Sequence, residues 1–369
     1  MNSIKSSVLL TCLVTQMNSY AAPQFSGGIW WVYQDAAADN LSGEFADPAF
    51  IFYADNDDST SPWGYSGEMR VGRGAFTNSE SNSSGDNTIV HKAWVSYQLE
   101  NGPLLTVGKS QVPFGWKTHN NWPGDMLQGG YGDQMDVGIK ASGIFDSFSY
   151  DAAFYTQDDW GSTSTDTSDD GGHWGSAVDG SETYRKEDTL VLNVDWHASE
   201  HHTFGISAQA GKLVDLSEFV ASGEKSLDDD HQAIDLHYVY NRDAVTFKYR
   251  YVDVSRDFRG LETCVARGSA PDFGVEACPN EEVKNERHAI YLGYGLNDWS
   301  FYLDATAAST STASNTSGDV YAFSPGVSYK YGPGWVYLEY LWQDGFVDSF
   351  GDIGEGDFKS LYVTFDFYF

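Results

Sequence analysis

Counting back from the C-terminus in steps of two gives Phe369, Phe367, Phe365, Val363 and Leu361, all large and apolar. Between them stand Tyr368, Asp366, Thr364, Tyr362 and Ser360, which are polar or amphipathic. Successive strand side chains point to opposite faces, so this stretch predicts a strand with one greasy and one wet face. The same alternation recurs from Ala22 onward. It predicts strands near 24–34, 48–55, 64–76, 88–100, 104–112, 135–144, 147–157 and 184–198. It continues at 201–213, 231–241, 244–256, 285–296, 299–311, 318–331, 334–345 and 357–369. The count is sixteen; alternation is weakest at 48–55, and fourteen and eighteen are the competing counts.

The connections alternate as well. Tight turns are predicted at Asn101-Gly102-Pro103, Phe145-Asp146, Arg242-Asp243, Asn297-Asp298 and Gly332-Pro333. Connections after the odd strands are mostly longer and rich in Asp, Ser, Gly and Asn. A soluble sandwich or propeller has no reason to sort its loops in this way. An antiparallel transmembrane β-barrel does, and it needs the last strand to pair with the first. The expected fold is therefore all-β, a sixteen-stranded membrane barrel with both termini on the short-turn side.

Composition agrees with this. Aromatic residues make up 15% of the chain while the mean hydropathy is −0.40. No run of about 18 apolar residues occurs, which excludes a transmembrane helix. Lys5, the apolar run Val8–Val14 and the site Ser19-Tyr20-Ala21 read as a secretory signal. Residues 1–21 are thus expected to be a signal peptide, and 22–369 a single barrel domain.

The chain has 53 acidic and 21 basic residues, a net charge of −32. Nucleic acid is a poor partner for such a surface. Cation attraction, divalent bridging to lipopolysaccharide, or simple loop solvation suits it. Residues 158–183 contain seven acids and no Lys or Arg. Asp228, Asp229 and Asp230 offer hard oxygen ligands, so calcium on acidic external loops is the one ion considered; solvated surface is the bland alternative. No other metal and no cofactor is expected. Cys264 and Cys278 remain after signal removal, and in an oxidising compartment they are expected to form a disulfide. A metal pair is the alternative, but no His stands at ligand spacing.

With apolar residues facing lipid, the opposite register faces the lumen. It holds Glu68, Arg70, Lys92, Asp136, Lys140, Asp195, Asp235, His237, Lys248, Arg250, Asp304, Glu339 and Asp366. So many charges are too costly for a packed core and imply a wet channel. Arg70, Lys92, Lys140, Lys248, Arg250, Asp235 and Glu339 are the candidate pore wall. Lys248 with Arg250, and Arg70 with Lys92, are read either as basic patches or as charges each paired to a local acid. The stretch Val112–Gln134 keeps apolar residues in a loop, so it must pack on something. The expectation is an inward-folded third loop with Trp116, Lys117, His119, Trp122, Asp125 and Asp133 at a constriction. Packing at the rim or in a subunit contact is the alternative.

The terminal aromatic strand, the signal sequence and the sixteen-strand rhythm resemble a bacterial outer-membrane porin. The stretch LLTVGKSQVPFGW, Leu104–Trp116, is similar to a strand-to-loop stretch of the phosphate-selective porin group, where Val-Pro-Phe-Gly precedes the third loop. The resemblance implies an outer-membrane barrel, commonly a homotrimer, constricted by its third loop. It also implies that Phe369 is read by the barrel-insertion machinery. The excess of acids differs from that group's cationic channels, so the fold and the loop's role are carried over and the solute is not.

The function expected is a passive diffusion channel for small hydrophilic solutes and ions, mildly cation-preferring. The alternative is a substrate-specific porin for oligosaccharides, using rings such as Trp30, Trp94, Trp116, Trp122 and Tyr131, or for an anion such as phosphate. An enzyme is not expected: His91, His201 and His202 have no nucleophile at a recognisable spacing.

Overall fold

The computed structural model describes residues 24–36, 43–45, 48–56, 61–72, 88–116, 134–157, 184–215, 229–257, 266–267, 275–276, 282–312, 318–347 and 353–369. Sixteen long strands follow one another. They are β1 (Gln24–Ala36), β2 (Ala49–Asp55), β3 (Trp63–Val71), β4 (Thr88–Gln98), β5 (Leu104–Gln111), β6 (Met135–Phe145), β7 (Phe148–Gln157) and β8 (Tyr184–His197). The second half comprises β9 (His202–Asp215), β10 (Asp229–Arg242), β11 (Val245–Asp257), β12 (Glu282–Leu296), β13 (Trp299–Thr310), β14 (Val320–Lys330), β15 (Trp335–Val347) and β16 (Ile353–Tyr368). Glu44–Phe45 pairs alongside β1, and Ala266–Arg267 pairs with Val275–Glu276 as a small separate hairpin.

Every long strand pairs antiparallel with its sequence neighbours, and β1 closes the ring on β16 in register from Gly28↔Tyr368 to Ala36↔Ser360. The backbone bonds run to the chain end, where Gly27 and Phe369 exchange two 2.9 Å N–H···O bonds. The second segment, weakest in the sequence, is a full strand between β1 and β3. Its alternation is blurred because Phe50 and Phe52 face outward while Ala49 and Ile51, equally apolar, are buried inside.

The predicted turns are built on residues that tolerate left-handed backbone. Asn101, Asp146, Asp243 and Asn297 have φ between 52° and 55°, and Gly332 has φ 106°. Asn and Asp reach this region by local side-chain hydrogen bonding and tight hairpins require it.

Outward positions are apolar: Leu190, Leu192, Val194 and Trp196 on β8, and Ile290 and Leu292 on β12, are exposed. Near the short-turn end the outer face carries ring pairs, including Trp63–Tyr97, Trp299–Tyr329 and Tyr331–Phe365. Apolar walls with aromatic girdles are what a lipid-embedded barrel presents. The inner face is mostly polar, with local apolar clusters. One joins Val32, Ala308, Val320, Ala322, Leu341, Ile353 and Tyr362 at the long-loop end of the wall.

Candidate functional site

The chain leaves β5 at Gln111 and turns inward. Val112 and Phe114 pack with Ala153, Tyr155, Val191, Ala233, Val252 and Val254, which belong to the inner faces of β7, β8, β10 and β11. Trp116 reaches further, packing with Ala289 and Tyr291 of β12. Its indole N–H donates to the Tyr249 carbonyl at 3.1 Å. The first residues of the third connection thus lie on the far inner wall. Of the other expected constriction residues, Lys117, His119, Trp122, Asp125 and Asp133 lie outside the described residues.

A single peptide unit, Phe114–Gly115, is held there by a closed circuit of hydrogen bonds. The Gly115 N–H donates to Ser207 Oγ at 2.9 Å, and the Ser207 hydroxyl donates to Asn193 Oδ1 at 2.7 Å. Asn193 donates to Asp195 Oδ2 at 3.0 Å. His237 stands between Asp195, 2.7 Å from Nε2, and Asp235, 2.6 Å from Nδ1. It bonds both carboxylates fully only when both ring nitrogens carry hydrogen. Arg250 Nε donates to Asp235 Oδ2 at 2.7 Å, and Arg250 Nη2 returns to the Phe114 carbonyl at 3.2 Å. Four strands, β8 to β11, contribute one or two residues each. With both acids ionised and His237 doubly protonated, the four charges of the circuit cancel, which is what a buried ionic network needs.

The cradle is tight. Gly115 has φ +66°, and a Cβ there would lie 2.5 Å from Arg250 Nη2 and 2.9 Å from Asp235 Oδ2. Cations also face the rings of the segment: Arg250 is 5.7 Å from the Phe114 ring centroid, and Lys248 is 5.3 Å from that of Trp116. Arg250 and Asp235, expected on the water-lined wall, are both fully buried beneath this segment.

The other wall residues divide as follows. Arg70 Nε bonds Glu68 Oε1 at 2.8 Å, and Lys92 Nζ lies 4.0 Å from Glu68 Oε2, so the two cations share one acid instead of forming a bare patch. Arg70 also lies 5.2 Å from the Trp30 ring. Lys140 donates to the Gln111 carbonyl at 2.9 Å, supporting the point where β5 ends. Glu339 is buried and accepts the Tyr302 hydroxyl bond at 2.8 Å. His201 and His202 bond Asn241 and Tyr238 at the β8–β9 turn.

Several residues were not singled out by sequence. Arg256 and Arg287 lie fully buried on the inner faces of β11 and β12. Their register matches that of Arg250 and Tyr291, so the alternation did contain the signal. Lys186 is different. Thr189, Val191 and Asn193 set the inward register of β8, yet Lys186 is fully buried, 3.6 Å from Asp136. A register shift between Ala210 and Lys212 on the β9 side, with Asp188 at φ +50°, inverts the alternation. A second shift, at Glu68–Met69 against β4, turns His91 inward beside Lys92. Bulges of this kind cannot be read from alternation. Cys264, Cys278 and Asp228 lie outside the described residues, and Asp230 is exposed opposite Lys212. Among the described residues no group of three His, Cys, Asp or Glu could hold a metal.

No protein-family model matches the chain, and no curated protein does. Solved structures do. Salmonella typhi OmpF, in complex with daunomycin, aligns with TM-score 0.61 at 9% identity, over 94% of this chain and 97% of that one. The trimer form of OmpT, an outer membrane protein of Vibrio cholerae, aligns with TM-score 0.59 at 11% identity, over 94% and 99%. An anion-selective porin from Comamonas acidovorans aligns with TM-score 0.55 at 12% identity, also over 94% and 99%. At such identities the likeness defines the fold: this is a closed, sixteen-stranded porin-type barrel.

Proposed function

We propose that the chain is a bacterial outer-membrane porin, a water-filled channel through which small hydrophilic solutes and ions diffuse passively. The observation that carries this reading is the pairing of an apolar outer face with an inner face on which the charged side chains of Lys92, Lys140, Asp151 and Asp195 stay partly exposed. A closed wall in lipid has no reason to carry those charges inside unless water reaches them. The segment Val112–Trp116 narrows the lumen, and the wall charges around it set selectivity. Reconstituted into a planar bilayer, the protein gives stepwise ohmic conductance; a barrel that inserts without conducting overturns the channel reading.

The strongly acidic chain favours a mild cation preference, read from the reversal potential in a KCl gradient. The competing anion reading, phosphate included, draws on Lys186, Lys248, Arg250, Arg256 and Arg287, which gather on β8, β11 and β12. A reversal potential of anionic sign, with chloride current reduced by added phosphate, would favour it. In the cell the chain is read as exported by residues 1–21, inserted through recognition of Phe369, and assembled as a homotrimer among lipid and lipopolysaccharide. Crosslinking of the purified protein tests the trimer.

A further inference from the structure

The outer wall is not uniformly bulky. Along β13 the outward positions run Trp299, Phe301, Leu303, Ala305, Ala307 and Ser309, so large side chains give way to small ones partway along the strand. The neighbouring strands stay bulky, with His288 and Ile290 on β12, Phe323 on β14 and Trp342 on β15. Between them lies an apolar groove of about 530 Å³, floored by Ala305 and Ala307. Leu303 and Phe301 fill the same stripe toward the short turns, which leaves the groove blind at that end. Toward the long loops Ser309 continues the floor, and the β12 face turns polar at the exposed Glu286 and Lys284.

The groove borders a gap in the sheet. β13 and β14 pair without interruption, including Leu303↔Pro325 and Asp304↔Ser324. Between β14 and β15 the pairing passes from Phe323↔Trp342 directly to Gly326↔Glu339, in one register on both sides. Pro325 has no N–H to give to β15. Ser324 is buried, and among the described residues its hydroxyl meets no hydrogen-bond partner. A ladder interrupted at the depth of hydrocarbon is a weak line in a membrane wall. Ala322, beside the gap, lines the groove and also belongs to the inner apolar cluster with Leu341, so the wall is apolar on both sides here.

We propose that the groove is a resident site for a zwitterionic phospholipid, one acyl chain of which lies along Ala305 and Ala307 and seals the β14–β15 seam. The site depends on the barrel standing in lipid and not on conduction. Its dimensions choose the occupant. The flanking strands β12 and β14 are two strand spacings apart, roughly 10 Å, and both carry side chains that narrow the space between them. That admits one alkyl chain and excludes an α-helix, itself about 10 Å across. A second barrel would reach the floor only with isolated side chains, whereas an alkyl chain follows its whole length and gains dispersion contacts along it. The blind end directs the chain's tip toward the short turns and its head toward the long loops. There Glu286 and Lys284 stand two positions apart on one face and offer both signs of charge, which suits an ammonium and a phosphate on the same head.

Native mass spectrometry of the detergent-solubilised full chain, titrated with dipalmitoyl phosphatidylethanolamine, tests it together with thermal melting. Wild type should retain one lipid per chain under activation that strips the rest, and its Tm should rise when the lipid is added. Ala305→Leu/Ala307→Leu fills the groove and should lose that lipid and the rise in Tm. Ala307→Leu alone, a smaller change, should weaken retention and serves if the double variant does not fold. Ala208→Leu, on the outer face of β9, should retain the lipid as wild type does. Pro325→Val restores an N–H to the seam, so its Tm should depend less on added lipid. A wild-type barrel that holds no lipid, or a filled variant that holds it equally well, overturns the site. A filled variant that changes the number of chains in the assembly also overturns it, and assigns the groove to a second copy. Conductance of the filled variant should match wild type, and a barrel that binds the lipid without conducting overturns the channel reading alone.

Discussion

Arg250 donates to the carbonyl of Phe114, a partner 136 positions away in the chain, at 3.2 Å. The same guanidinium bonds Asp235 through Nε at 2.7 Å. One side chain therefore fixes both the wall network and the Phe114–Gly115 peptide packed against it. Arg250→Met removes that link and leaves Asp235 buried with one cation fewer. Losing one member of a buried ionic pair costs about 3–5 kcal/mol. The expected outcome is a lower midpoint in denaturant together with larger, noisier single-channel steps. Unchanged step size in a folded variant would show that the segment is held by packing alone.

Gly115 tests the same cradle from the other side. Gly115→Ala places a non-glycine residue at φ +66°, where the left-handed region costs about 1–2 kcal/mol. The added Cβ also meets Arg250 and Asp235. In a double-mutant cycle with Arg250→Met the two losses should be less than additive by about 1 kcal/mol or more, since the clash partner is gone. Strict additivity would mean the two residues do not touch in the folded protein.

Lys248 lies 5.3 Å from the Trp116 ring and 6.0 Å from that of Tyr291, on the inner wall. Lys248→Glu changes the local charge by two units. At channel-water dielectric this favours a passing cation by about 1 kcal/mol. The reversal potential in a KCl gradient should move in the cation-selective direction, and more strongly at low salt because screening is weaker. A reversal potential that stays put would place Lys248 outside the conduction path.

Cys264 and Cys278 are expected to close a loop between β11 and β12. Peptide mapping without reductant should recover them linked, and a Cys264→Ser/Cys278→Ser variant should keep a barrel of near wild-type stability, because positions 264 and 278 fall in sequence between the long strands β11 and β12. Labelling of both thiols in freshly purified protein would refute the pairing.

Phe369 is largely exposed on the outer face, while its backbone is bonded to Gly27. Phe369→Ser should therefore leave those backbone bonds and the purified barrel's melting temperature nearly intact. Its yield in the outer-membrane fraction should fall several-fold if the ring is an assembly signal. Equal yield would assign the residue to ordinary lipid contact.

The barrel was legible because a lipid-facing wall forces strict alternation, and because its tight turns demand Asn, Asp or Gly at left-handed positions. β12, with buried and exposed residues alternating from Glu282 to Tyr294, shows this most plainly. The inward register of Asp195, Asp235, His237 and Arg250 was legible for the same reason. Their convergence on one peptide unit was not. It depends on the curvature that brings β8 to β11 around Phe114–Gly115, and alternation carries no information about curvature. Lys186 and His91 were hidden by bulges, which shift the period by one residue and look like noise in a sequence.

The pairing of β1 with β16 has a kinetic consequence. Gly28 meets Tyr368 only at the ends of the chain, so the ring cannot close until every intervening strand is made. Contacts of such sequence separation form late and slowly. Until then the sheet has two open edges, each able to recruit a strand from another molecule. A chain cut short before β16 is thus left as an open sheet whose unpaired β1 and β15 edges can recruit strands from other molecules.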